Sequence, residues 1–454
     1  MARRRRRSKR LAVADLPEHL QQINLNAAGI DVGSDRHVVA VPTGRDEVSV
    51  REFGAFTAEL DALADWLTKC GITSVAMEST GVYWIPLFEL LEQRGFEVKL
   101  VDARQVKNVS GRKSDVLDCQ WLQQLHTYGL LAAAFRPADQ VCVLRGYMRQ
   151  REMLVQASSM HIQHMQKALQ QMNLLLHNVV SDITGVTGMK IIKAIISGER
   201  DPKVLARHRD QRCHSSAATI AKSLVGNYRE EHLFALTQAV SLYETYQAKI
   251  AECEAAIAGY LSSQPHRTDE EPPPGDKSSR NRDRLRGGVD VRSQLYRMTG
   301  VDLFNLPGLG ADTLLTLAGE GGFDMTPWPS EKHFSSWLAL CPGTKKSNGK
   351  VLSRKTKRSA NRAAAAFRIA AASLARSKTA LGAFYRRIRV RVGPAEAITA
   401  TARKLAVLYY SLLKHGSAYV EIGQAVYEQK YQQRRLHSVQ KQALAMGYQL
   451  IPVA

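Results

Sequence analysis

The sequence predicts an α/β domain followed by mostly helical, all-α regions, and three observations carry that reading. Short apolar runs of strand length alternate with amphipathic stretches between residues 26 and 101. Leu, Met, Gln and Ala then recur at helical spacing up to residue 262. A stretch rich in Pro, Gly, Ser and charge interrupts the chain at 263–288, and a second helical region follows it. The 454 residues suffice for two or three domains with cores of their own.

In chain order, residues 1–24 open with the basic arm MARRRRRSKR. It lacks the hydrophobic segment of a secretory signal, and reads either as a solubilising tail or as a flexible phosphate-binding arm. Residues 25–139 form the α/β domain. NAAGIDVGSDRHVVAVPTG and EVSVREF supply three strands, FTAELDALADWLTKC a helix and ITSVAME a strand. A helix over about residues 82 to 94 and the strand FEVKLVD complete it. Three strands ahead of the helix–strand alternation predict a mixed sheet. Residues 140–262 form a helical, coiled-coil middle. Its two long helices, REMLVQASSMHIQHMQKALQQMNLLL and HLFALTQAVSLYETYQAKIAECEAAIAGYL, can pair as an antiparallel hairpin or as a dimer seam. Residues 263–288 read as a flexible linker, 289–427 as a mostly helical C-terminal domain and 428–454 as a polar helix or tail.

The formal net charge of +21 points to a polyanionic partner, most simply nucleic acid. Six scattered cysteines without a CxxC pair fit a reducing cytosol and no structural zinc. No apolar run reaches the roughly 18 residues of a membrane span, so none is expected.

Two constellations carry chemistry. The first is acidic. Asp31 in GIDVG and Glu78 in VAMESTG each end an apolar strand, where open α/β sheets place their sites. In GRKSDVLDCQWL, Asp115 and Asp118 stand about one helical turn apart, with Arg112 and Lys113 just before them. Four carboxylates drawn together repel unless cations neutralise them. Hard oxygen donors suit Mg²⁺ or Mn²⁺, and two such ions can clamp a phosphodiester. Asp at a strand end is also a common cap or turn residue, which is the plainer reading of each acid alone. Asp102 also ends a strand and reads as a supporting residue, while Asp35 reads as a turn residue.

The second is basic. GTKKSNGKVLSRKTKRSANR holds eight Lys or Arg (Lys345, Lys346, Lys350, Arg354, Lys355, Lys357, Arg358, Arg362) and no acid. Ser347 lies among them beside Asn348-Gly349, a turn signal. A hydroxyl there can contact a phosphate or, with cations stabilising its alkoxide, attack one. His333 is the nearest histidine upstream. In NLPGLGADTLLTLAGEGG, Gly308 and Gly310 belong to a turn that either presents backbone N–H groups to phosphates or makes an ordinary corner.

GIDVGSDRH, AMESTGVYW, GRKSDVLDCQWL, LPGLGADTLLTLAGEGG and LALCPGTKKSNGKVLSRKTKRSANRAA occur in the order found in the DEDD transposases of bacterial insertion sequences. The chain resembles the IS-one-ten family and, in KVLS…KRSANRAA, its eleven-eleven subgroup. The resemblance covers about residues 26–139 and 295–415. It implies a RuvC-like, ribonuclease H-type domain with its metal acids at Asp31, Glu78, Asp115 and Asp118, holding Mg²⁺ or Mn²⁺ as two ions per active site. It implies Ser347 as nucleophile of a bridge-RNA-guided recombinase working through a phosphoserine intermediate, with acids and serine from different protomers. It further implies donor and target double-stranded DNA and a structured noncoding guide RNA as partners, dimers assembling into a tetramer, and a bacterial cytoplasm, at the nucleoid. Asn348 separates the serine from Gly349, where many relatives have glycine directly. The other readings of the residues are a metal-dependent nuclease of the junction-resolvase type, with Ser347 only a contact, and a non-catalytic nucleic-acid-binding protein.

Overall fold

The computed structural model describes residues 22–79, 81–101, 115–274, 283–285, 287–348, 350–353, 355–416 and 421–451, and of Asp115 the backbone only. The chain divides into two compact units, one up to Arg136 and one from Pro137.

The first unit is built on a five-stranded sheet in the order β3-β2-β1-β4-β5. β1 (Ala27–Val32), β2 (Arg36–Ala40) and β3 (Val50–Gly54) form an antiparallel meander, and β4 (Ser74–Glu78) and β5 (Glu97–Val101) run parallel to β1. A short turn at 33–35 and a loop at 41–49 keep β1 to β3 antiparallel, whereas the helices before β4 and β5 return the chain to run parallel. α1 (Thr57–Lys69) and α2 (Trp84–Gln93) cover one face. Leu63, Leu67, Leu87 and Leu91 pack there on Ile30, Val39, Val75 and Met77. α3 (Asp115–Thr127) covers the other face, with Cys119 against Val38 and Ala40, and Leu122 against Ala76 and Val101. Central strands buried on both sides explain why β1 and β4 read as near-continuous apolar runs. This is the mixed α/β sheet that the strand and helix pattern predicts, with the RuvC-like arrangement.

The second unit begins with α4 (Asp139–Gln171) and returns through α8 (Glu230–Ser263), helices of 33 and 34 residues and so about 50 Å long. They pair as an antiparallel hairpin within one chain. Arg151 meets Glu254, Ser158 meets Gln247 and His161 stacks on Tyr246, so one helix descends as the other rises. Spacing of four and three residues runs through both inward faces: Leu144, Met148, Arg151, Val155, Ser158, Ile162, Met165 and Leu169 on α4, and Leu236, Val240, Tyr243, Gln247, Ile250, Glu254, Ile257 and Leu261 on α8. At the tip, α5 (Val186–Ile196), α6 (Pro202–Ala206) and α7 (Ala217–Ser223) close a core around Met165, Leu169, Ile191, Ile192 and Leu236.

The described parts of 263–288 run along α9 (Val291–Thr299) rather than hanging free. Arg267 N–H donates to the Arg297 carbonyl at 2.7 Å, Arg292 donates to the Pro273 carbonyl at 2.9 Å, and Leu285 is buried. Beyond them come α10 (Ala311–Gly321), α11 (Glu331–Trp337), the ribbon β6 (Lys345–Ser347) and β7 (Lys350–Ser353), α12 (Arg362–Ser373), α13 (Ala380–Val392), α14 (Pro394–His415) and α15 (Gly423–Ala445). An aromatic core of Trp328, Phe334, Trp337, Phe367, Tyr409 and Tyr410 joins α11, α12 and α14. Helix α4 holds α10 at both ends. Arg151 pairs with Asp312 in its first turn, and Arg145 donates to the carbonyls of Gly319 and Glu320 in its last.

Candidate active site

The register at the centre of the sheet decides where the strand acids stand. Ile30 lies beside Met77 in the parallel pairing of β1 and β4, and Asp31 and Glu78 come next on each strand. They therefore leave neighbouring strands side by side at the same end. Strand alternation sends Ile30 and Met77 into the core under α1 and α2, and turns Asp31 and Glu78 toward the α3 face. Their strand mates show the same orientation. Ala76 packs on Leu122. A Cβ on Gly29 would stand 2.3 Å from the Cys119 carbonyl oxygen and 2.4 Å from the Gln123 nitrogen, so only glycine lets α3 lie this close.

Helix α3 starts at Asp115 and carries Asp118 immediately before Cys119. Asp31, Glu78 and Asp118 are half-buried. Burial pushes the Cys119 thiol up to about 12, and the negative charges of Asp31 and then Asp118 add to that effect. Asp31 and Asp118 thus act on one thiol. At the other end of α3, His126 is buried with its Nε2 2.7 Å from the Ser74 hydroxyl, pinning the helix to β4. Among the described residues, no three His, Cys, Asp or Glu side chains gather closely enough to hold a metal ion. The set is nonetheless all oxygen, the donor chemistry of a hard divalent cation.

Ser347 ends β6 and pairs with Lys350, the first residue of β7, across Asn348-Gly349. Asn348 has φ +47°, the left-handed conformation that two-residue hairpin turns require and asparagine tolerates. Cross-strand partners share a face of the ribbon, which puts Lys350 on the side of Ser347. Lys346 pairs with Val351, and beyond a bulge Lys345 pairs with Ser353. Ser347, Lys345, Lys346 and Lys350 are all exposed, as are Lys355, Lys357, Arg358 and Arg362. Arg362 pairs with Glu152, whereas none of the other six cations has an ion-pair partner among the described residues. The Gly343 N–H donates to the Lys355 carbonyl at 2.9 Å and ties the base of the ribbon.

Two family models match the chain. One, the DEDD model of the IS110 type, described as a transposase, matches residues 28–174. The other, described as the transposase IS116/IS110/IS902 family, matches residues 302–386. The chain belongs to the IS110 family of DEDD transposases. The first match contains all four acids and the second contains Ser347. No curated protein matches the chain. An IS110 transposase is a DNA-transposing enzyme of an insertion sequence, and its DEDD type of domain implies dependence on a divalent metal.

In this IS110 transposase the other residues singled out from sequence fall as follows. Gly308 has φ +84°, and a Cβ there would stand 2.8 Å from the Ala370 carbonyl oxygen, so its glycine serves a close corner against α12. Gly310 caps α10, whose first turn holds the acidic Asp312. Asp35 lies in the turn between β1 and β2. The Nδ1 of His333 lies 2.8 Å from the Ser330 hydroxyl at the start of α11, a local contact. Asp102, Arg112, Lys113 and Arg354 lie outside the described residues, as do most of the basic arm and Gly349. No described helix is long and apolar enough to cross a membrane. Sequence reading passed over Arg387, Arg403 and Lys404, whose one signal is the basic run RRIRVR at 386–391 and RK at 403–404.

Proposed function

We propose that this transposase is an RNA-guided recombinase in which Ser347 attacks a DNA phosphodiester. The observation that carries the reading is the ribbon: an exposed serine at a hairpin turn, its cross-strand partner a lysine, among cations lacking ion-pair partners among the described residues. The serine oxygen bonds to phosphorus as one P–O bond of the strand breaks, and the released sugar hydroxyl takes up a proton. A carboxylate of the acidic site, from this chain or another copy, accepts the serine proton. Attack by a hydroxyl of the partner strand on the phosphoserine then restores a phosphodiester and frees the serine, so no energy cofactor is consumed.

Lys345, Lys346, Lys350 and Arg354 hold the phosphates flanking the reacting one, with Lys355, Lys357, Arg358 and Arg362 extending the track and Arg112 and Lys113 doing the same beside the acids. Backbone contact at Gly308 and Gly310 is the least of these, because Asp312 already stands at that helix start. Asp31, Glu78, Asp115 and Asp118 would hold Mg²⁺ or Mn²⁺, two ions per site, which supply neutralisation of the four acids and stabilisation of charge on the phosphodiester. Guidance by a structured noncoding RNA, action at the nucleoid in a bacterial cytoplasm and assembly of dimers into a tetramer complete the reading. The last is supported by exposed Val143, Tyr147, Met153 and Met160 on the outer side of α4.

The test is co-expression with the DNA flanking the gene, followed by denaturation and a search for covalently attached DNA. Wild type should carry an adduct that Ser347→Ala and Asp115→Ala both abolish. Metal-dependent cleavage that persists in Ser347→Ala without an adduct would leave a nuclease. Salt-sensitive binding with no turnover in any metal would leave a non-catalytic binder.

A further inference from the structure

A cavity of about 1080 Å³ lies between the base of the ribbon, α13, α14 and the start of α15. Leu381, Phe384, Val407, Leu408, Ile422 and Tyr427 give it an apolar wall. Its charged lining is one-sided, with Lys355, Arg403 and Lys404 against the single acid Glu396. Arg403 Nε and the neighbouring Arg387 Nη1 are buried without a hydrogen-bond partner among the described residues. The Arg387 guanidinium lies 5.3 Å from the Tyr427 ring and 3.8 Å from that of Tyr431, and Lys404 Nζ lies 4.3 Å over Phe384. Desolvation holds the Lys404 ammonium below its ordinary value, and Arg387 and Arg434 push it further down.

Buried guanidinium N–H groups nearly always have acceptors, so the unpaired Arg403 Nε on the cavity wall, beside Lys404 and Lys355, calls for an anion. A small inorganic anion would leave the apolar wall uncovered. A nucleotide answers both needs, since its phosphate is the acceptor and its base is a flat body that covers apolar and aromatic surface. Thr356 and Thr399 line the same space and offer hydroxyls to a base edge. Pro342, Lys355 and Thr356 belong at once to the cavity and to the base of the ribbon, so a strand followed along the ribbon reaches the cavity mouth.

We propose that the cavity receives one unstacked nucleotide of the DNA strand held by the ribbon, with its phosphate on Arg403 and Lys404 and its base on the apolar wall. This rests on the ribbon as the strand-holding element, not on serine chemistry, and the test separates the two.

Full-length Ser347→Ala protein is titrated by fluorescence anisotropy with a thymidine octanucleotide and with an abasic octanucleotide carrying the same phosphates. The base-bearing strand should bind about fivefold or more tighter, the lower end of what one stacked base contributes. Thr399→Trp and Ala400→Trp, which fill the cavity, should erase that preference while leaving abasic affinity within about twofold. A wild-type strand carrying 4-thiothymidine should photo-crosslink to α13 or α14, a readout that needs no variant. Equal binding of the two strands, a preference that survives in a filled variant of native melting temperature, or crosslinks confined to the ribbon would each overturn the proposal. A uridine octanucleotide bound tighter than the thymidine one would reassign the cavity to guide RNA and overturn it as stated. Base preference without a wild-type adduct would keep the cavity and sink the serine nucleophile, and an adduct without base preference would do the reverse.

Discussion

Replacing Glu254 by leucine removes one half of an ion pair buried in the middle of the long hairpin. The Arg151 and Glu254 side chains are 8% and 2% exposed, with Arg151 Nη2 2.7 Å and Nε 2.9 Å from the same carboxylate oxygen. Glu254 also accepts the Gly287 N–H, and Arg151 reaches Asp312 at 2.7 Å. Taking one partner from a buried pair costs about 3–5 kcal/mol, because the other charge stays behind in a medium that solvates it poorly. Asp312 can answer only part of the charge left on Arg151, since its own side chain is 68% exposed. Glu254→Leu should therefore cost about 3–4 kcal/mol, and Arg151→Met, which strands the carboxylate with one N–H donor, at least as much. The double variant places apolar side chains at seam positions otherwise filled by Leu, Met and Ile. It should cost only about 1–2 kcal/mol, chiefly for the Gly287 N–H left without an acceptor.

Hydrogen exchange of seam amides in α4 and α8 reads the opening of the hairpin apart from the other domains. Each single variant should lower protection by about a hundredfold or more, and the double variant should recover most of it. A single variant that changes protection by less than about tenfold, or a double variant as weak as the two singles summed, would refute the reasoning. In that event the pair would be a solvated contact rather than a buried one. The outcome also bears on register. A one-turn slip of α8 would leave Arg151 without Glu254 and Ser158 without Gln247, so two matched polar pairs in one apolar seam oppose it together.

Three further expectations follow from single contacts. The Tyr409 hydroxyl is buried with no hydrogen-bond partner among the described residues, while that of Tyr410 donates to the Trp328 carbonyl at 2.8 Å. Tyr409→Phe should leave the melting temperature unchanged or raise it, Tyr410→Phe should cost about 1–2 kcal/mol, and the reverse order would disprove the assignment. Burial, aided by the Lys99 charge, lowers His126 from 6.5 to about 4, so the unfolded chain binds a proton there that the folded one refuses. The stability of the first unit should be full above about pH 6.5 and fall by roughly 3 kcal/mol at most as pH drops toward 4; chemical denaturation across that range should show the slope, and His126→Gln should flatten it. Gly29→Ala forces a methyl against the Cys119 carbonyl oxygen, so it should lower stability by about 1–3 kcal/mol and reduce activity supported by a divalent metal, and an unchanged melting temperature would show that α3 does not lie this close.

What could be read from the sequence was local in the chain. The strand ends that carry Asp31 and Glu78 follow from short apolar runs, and the turn beside Ser347 follows from Asn348-Gly349, because each depends on a handful of adjacent residues. The close seat of α3 on the face of Asp31 and Glu78 depends instead on Gly29 admitting a helix ninety residues further on, and a lone glycine inside a strand pattern gives no hint of its partner. The hairpin shows the same limit. Three-four spacing announces two long helices but not what each meets; in this chain they meet each other, with Arg151 and Glu254, 103 residues apart, paired across the seam. The stretch at 263–288 was read by composition as free linker. Among its described residues Glu271 pairs with Arg297 of α9, the Pro273 carbonyl accepts from Arg292, the Gly287 N–H donates to Glu254, and the buried Leu285 supplies the apolar anchor that composition averages away.

The two constellations are chemically incomplete in opposite ways. Around Ser347 the ionisable neighbours are cations, which can stabilise an alkoxide and hold phosphates but cannot take a proton while charged. The nearest upstream histidine, His333, is occupied with Ser330 at a helix start. The face shared by Asp31, Glu78 and Asp118 has the reverse composition. Its carboxylates can accept a proton or hold a cation, while its one potential nucleophile, Cys119, is buried and held in its thiol form at neutral pH. A serine mechanism in this transposase therefore needs both halves at one phosphodiester, whichever copies supply them. The exposed ribbon and the half-buried acids differ in the way that this division of labour demands. A group that had to reach into DNA would stand as Ser347 does, in solvent on a short hairpin, and groups that had to keep a fixed spacing to share a cation would be set as these acids are, on a sheet and the helix packed against it.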